Sequence, residues 1–123
     1  MSASERATEL AVAAARAAQE KKAEDLVALD VSERLVLTDI FLVMSATNER
    51  QVQAIVDAVE ERLALAGARP VRREGLSQAR WVLLDFGEIV VHVQHEEDRE
   101  FYALERLWRD CPVVPLPADL PTQ

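Results

Sequence analysis

The chain has 123 residues and a formal net charge of −8, from 14 Lys and Arg against 22 Asp and Glu. An acidic chain without a basic stripe argues against a nucleic-acid binder, which must neutralise phosphates. It is compatible with a basic protein partner, although solubility is the simpler reading of charge alone.

The length favours one domain, burying about two-thirds of its unfolded surface without disulfides or metal. The lone Cys111 forms no internal disulfide and fits a reducing cytosol. No leader pattern and no apolar run of membrane length are present. The expectation is a soluble, cytoplasmic protein.

Residues Ser2 to Glu24 read as a helix, with Ser2-Ala3-Ser4-Glu5 in capping-box form and an Ala-rich body. Its apolar stripe is thin, so loose docking is expected. Leu26 to Val31 reads as the first strand. A polar break at Ser32 to Arg34 follows, then room for a short extended piece over Leu35 to Asp39. Ile40 to Ser45 is a continuous apolar run, as in a strand buried on both faces. Thr47 or Asn48 can cap the next helix. There Val52, Ile55, Val56, Val59 and Leu63 form one stripe, and Gly67 and Pro70 mark its end. Val71 to Glu74 reads as a short strand and Gly75 to Ala79 as a loop. His95 to Trp108 is helical, with Phe101, Leu104, Leu107 and Trp108 inward, Tyr102 at the edge and Glu96, Glu97 and Asp98 in the first turn. The proline-rich tail after Cys111 is expected to be extended or disordered.

The centre of the chain is Trp81 to Gln94, two β-branched-rich segments around Phe86-Gly87. A two-residue loop over Phe86-Gly87 sets Leu84 opposite Ile89, Leu83 opposite Val90, Val82 opposite Val91 and Trp81 opposite His92. Alternation then puts Val82, Leu84, Ile89, Val91 and Val93 on one apolar face. Trp81, Leu83, Asp85, Glu88, Val90 and His92 lie on the other. This second face has the makeup of an interface, with an aromatic anchor, apolar neighbours and a polar rim. A second core layer beneath a helix fits the pattern equally well. The order α-β-β-α-β-β-β-α gives an α/β or α+β fold with a mixed sheet of about five strands and three helices.

No catalytic or metal constellation emerges. His92 and His95 lack partners in a zinc spacing, and no base accompanies Cys111. Ser45 has no nucleophile-elbow frame. The turn from Met44 to Asn48 could cradle an anion at a helix N-terminus, but P-loop and dinucleotide fingerprints are absent. Magnesium-dependent nucleotidyl transfer needs converging carboxylates, and the strands carry no Asp-x-Asp or Asp-x-Glu. Asp85 and Glu88 read as a solvated turn. A nucleotide- or phosphate-using enzyme is the alternative to a binding protein.

Six segments, in order, resemble the ribosomal silencing factor (Iojap) family: Thr38 to Ser45, Arg50 to Ile55, Arg73-Glu74-Gly75, Trp81 to Asp85, Ile89 to Val93 and Arg99 to Trp108. The resemblance covers residues 1–114 as one domain and leaves 115–123 as a separate tail. It implies an α/β, nucleotidyltransferase-like fold without catalytic carboxylates. It also implies a cytoplasmic protein, often a homodimer, with no cofactor and no direct DNA or membrane binding. Its implied partner is the large ribosomal subunit, through ribosomal protein fourteen. Occupying that surface would sterically block the small subunit and repress translation when nutrients are short. The family's Trp, Asp and His fall on Trp81, Asp85 and His92, and its last-helix pairs on Phe101-Tyr102 and Leu107-Trp108. The implied contact set is Trp81, Leu83, Asp85, Val90, His92, Tyr102, Leu107 and Trp108. Ala46 and Arg80 stand where the family commonly has Gly, and Gln94 where an aromatic is frequent.

Overall fold

A computed structural model describes residues 2–102, 106 and 108–122, with Glu100, Phe101 and Tyr102 described by backbone alone. Helix α1 spans Glu5–Glu20, and Ser4 caps it, its hydroxyl accepting from the Ala7 N–H at 3.0 Å. The cap is therefore Ser4, not the expected Ser2. The reason lies upstream, where the Asp30 and Asp39 carboxylates accept the Ala3 and Ser4 N–H groups at 2.8 Å each. Those bonds hold the chain extended until Ser4, so the helix starts later.

The loose docking expected of α1 is also corrected. Ala7, Leu10, Ala11, Ala14, Ala15, Ala17 and Ala18 are all buried. A stripe this small brings the backbone of α1 close to α2 and the sheet, so packing is tight.

Helix α2, Glu49–Leu65, follows its sequence closely. Asn48 caps it through the Gln51 N–H at 2.8 Å, and the five stripe residues are the buried ones. Its end is closed by Gly67 N–H to Ala64 O and Ala68 N–H to Leu63 O, the paired bonds of a Schellman motif.

Five strands form one mixed sheet: β1 Glu24–Asp30, β2 Ile40–Ala46, β3 Arg72–Glu74, β4 Trp81–Asp85 and β5 Ile89–His95. Their spatial order is β1-β2-β5-β4-β3. Only β2 and β5 are parallel; the other neighbours run antiparallel. One face, with Ala28, Leu42, Val91 and Leu84 across its middle, is fully buried beneath α1 and α2. The short helix α3, Glu96–Tyr102, continues directly from β5.

The β4–β5 register differs from the one expected. Trp81 pairs with Gln94, Leu83 with His92 and Asp85 with Val90. The Phe86 N–H donates to Ile89 O at 2.9 Å, so the tight turn is Gly87-Glu88 rather than Phe86-Gly87. A two-residue hairpin turn demands positive φ at its first central position, and Gly87 supplies it with φ +89°. The pairing moves by two, an even step, so every side chain keeps its assigned face.

The tail is extended and docked. It runs along β1, where the Asp30 N–H donates to Pro112 O, the Val114 N–H to Ala28 O and the Leu26 N–H to Pro121 O. Leu120 anchors it in the core. Among the described residues no helix is long and apolar enough to cross a membrane.

Candidate functional site

The second sheet face decides the site. Val27, Leu29, Val31, Phe41, Val43 and Val90 form a small second core there. Cys111 and Trp108 pack over it, with Cys111 buried and Trp108 set edge-on to Phe41 at 5.0 Å between ring centroids. Arg34 lies over the Trp108 ring at 5.0 Å and is paired with Asp110 at 2.7 Å.

This cover corrects the expectation of a half-exposed face at two positions. Val90 and His92 are buried, His92 only 4 % exposed. The reason is long-range: Phe41 and Trp108 close over β5, and nothing local to the hairpin announces them. Trp81, Leu83 and Asp85 on β4 remain half-buried, as does Trp108. Beside them the face opens toward β3, where Arg72 lies 3.2 Å from Glu74 and 3.8 Å from Asp85. The side chain of Tyr102 and the whole of Leu107 lie outside the described residues, as do the side chains of Phe101 and Leu104. The sequence-derived set thus divides into a half-exposed row (Trp81, Leu83, Asp85, Trp108) and a buried pair (Val90, His92).

The polar geometry beneath the row is specific. Trp81 Nε1–H donates to His92 Nδ1 at 3.2 Å, a diagonal contact between β4 and β5. Indole nitrogen only donates, so Nδ1 is the bare nitrogen of a neutral imidazole and the proton sits on Nε2. Burial pushes the His92 pKa down from 6.5 to about 4, consistent with that neutral ring. Among the described residues, His92 Nε2 is buried with no hydrogen-bond partner, and so are both amide atoms of Gln94, which is fully buried. Nearby, the buried Arg99 donates to Ser45 Oγ at 2.9 Å.

Sequence reasoning missed Arg80. Its guanidinium bonds Asp98 at 2.7 Å and Glu49 at 3.3 Å, tying the start of β4 to the first turns of α3 and α2. It thereby fixes the chain directly before Trp81. No local signal marks it, because both partners are distant in sequence. The other departures also have visible settings: Ala46 is buried at the end of β2, and Gln94 is fully buried on β5 between Ser45 of β2 and Trp81 of β4.

The anion cradle at the start of α2 is occupied by the chain itself. Gln51 Oε1 accepts the Thr47 N–H at 2.7 Å, Asn48 takes the Gln51 N–H, and Gln51 Nε2 donates to the Lys21 and Lys22 carbonyls. These are the donors a phosphate would need. Asp85 Oδ1 accepts the Gly87 N–H at 2.8 Å, a turn role. Among the described residues no group of three or more His, Cys, Asp or Glu could hold a metal ion.

Comparison with known proteins adds to this picture. Residues 4–123 match the family model described as ribosomal silencing factor during starvation. The ribosomal silencing factor RsfS of Halalkalibacterium halodurans is 44% identical over 108 residues, 88% of this chain and 92% of the relative. A mouse protein named mitochondrial assembly of ribosomal large subunit protein 1 is 31% identical over 93 residues, 73% of this chain and 41% of the relative. A crystal structure of a Chromobacterium violaceum protein superposes with a TM-score of 0.80 at 32% identity, covering 94% of this chain and 95% of that one.

Proposed function

Since the chain belongs to the ribosomal silencing factor family, we propose that it acts as a ribosome-associated regulator rather than an enzyme, docking on the large ribosomal subunit and sterically blocking the small one. Ribosomal protein fourteen is the partner surface in this reading, and the outcome is repressed translation under nutrient limitation. The action needs no cofactor and no covalent step. It belongs in the cytoplasm, and the protein is a homodimer when not docked.

The observation that carries the reading is the half-exposed row of Trp81, Leu83 and Asp85 on β4, beside Trp108. A large aromatic whose neighbours are apolar and whose rim is charged is the composition of a binding hot spot. Val90 and His92 lie in the rank behind that row, and the reading includes Tyr102 and Leu107 among the contact residues. The net charge of −8 favours a basic partner protein. The name of the mouse relative also refers to the large ribosomal subunit.

The test is subunit association followed by light scattering. Adding the protein to large subunits before small ones should lower the joined fraction in proportion to its occupancy. Full joining at saturating protein would overturn the reading.

A further inference from the structure

We infer that His92 serves the partner surface from behind, as a positioning residue that holds the Trp81 indole through its Nδ1 atom. The inference rests on the proposed docking role of Trp81. His92 is 4 % exposed, too buried to meet a partner itself. Its ring is held edge-on by Phe41, at 5.0 Å between centroids, and Phe41 is held in turn by Trp108. A ring gripped this way presents Nδ1 as a fixed acceptor, and the indole N–H of Trp81 meets it at 3.2 Å.

Packing alone does not explain a histidine at this place. Its Nε2–H is buried without a partner among the described residues, which costs stability. A phenylalanine would fill the place opposite Val43 and beside Phe41 without that penalty. What histidine adds is an acceptor, Nδ1, for the indole N–H. The bond fixes the direction of the indole N–H edge before docking, which removes an ordering cost from association.

The experiment measures binding to purified large ribosomal subunits by sedimentation, together with thermal midpoints. His92→Phe should keep or raise the midpoint yet weaken binding about three- to tenfold, the range expected for one hydrogen bond. His92→Asn should recover most of the affinity, because Asn Oδ1 stands the same number of bonds from Cβ as Nδ1. Trp81→Phe removes the N–H while keeping an aromatic ring at the site and should weaken binding by a similar factor. The double variant should be no weaker than Trp81→Phe alone, since both changes delete one contact. If His92→Phe or Trp81→Phe binds like the parent while Trp81→Ala does not, His92 is packing only and the inference is wrong. If Trp81→Ala itself binds normally, the fault lies instead with Trp81 as the docking anchor.

Discussion

Two side chains set the residue scale. Gln94 is buried with neither amide atom bonded among the described residues, so Gln94→Met should stabilise the fold by about 1–2 kcal/mol, read from urea unfolding. An unchanged midpoint would mean that the amide finds partners in solution. His92 carries a pH signature. Its folded pKa, about 4, lies below the ordinary 6.5, so between those values the unfolded chain binds the extra proton. Stability is therefore full above pH 6.5 and is lost as pH falls toward 4. The gap between the parent and His92→Phe should shift by about 3 kcal/mol between pH 7 and 4, in favour of the variant. Equal acid profiles for the two proteins would contradict the buried neutral imidazole. Of these residues, the sequence marks Trp81, Leu83 and Asp85 as one face by simple alternation. It does not reveal that His92 is sealed, because the seal is made by Phe41 and Trp108, which come from distant parts of the chain.

At the scale of elements, two glycines make contrasting predictions. Gly87 has φ +89° and open space where a Cβ would stand, so Gly87→Ala pays only the conformational cost, about 1–2 kcal/mol. Gly75 also has positive φ, but a Cβ there would come within 2.0 Å of the Trp81 carbonyl oxygen. Gly75→Ala must therefore push the start of β4 aside. Its loss of stability should exceed that of Gly87→Ala in the same unfolding assay, and binding of large subunits should fall with it. Equal losses would show that the β3–β4 loop yields freely. Helix α2 was legible because its stripe is strictly periodic and its cap and stop are local. The hairpin register was legible only in parity, since pairing depends on which turn position needs positive φ. The clamp by Arg80 was not legible at all, because an ion pair with Asp98 and Glu49 leaves no trace in local pattern.

At the scale of the whole molecule, the five-stranded mixed sheet and three helices follow from the order of periodic segments. The docked tail does not, because prolines spoil any ladder pattern. Pro112 and Pro121 have no N–H to give, yet their carbonyls accept from β1 while Val114 supplies a donor. Removing residues 112–123 should leave β1 bare, lower the thermal midpoint and produce concentration-dependent association on size-exclusion chromatography. A truncated chain that stays monodisperse would show that β1 needs no guard. The strap has a wider meaning for how this protein meets its own kind. With β1 boxed in, any neighbour that joins by adding a strand must approach from the opposite margin, where β3 is three residues long and studded with Arg72 and Arg73. A crowd of such molecules thus has almost no seam along which to zip together into fibre.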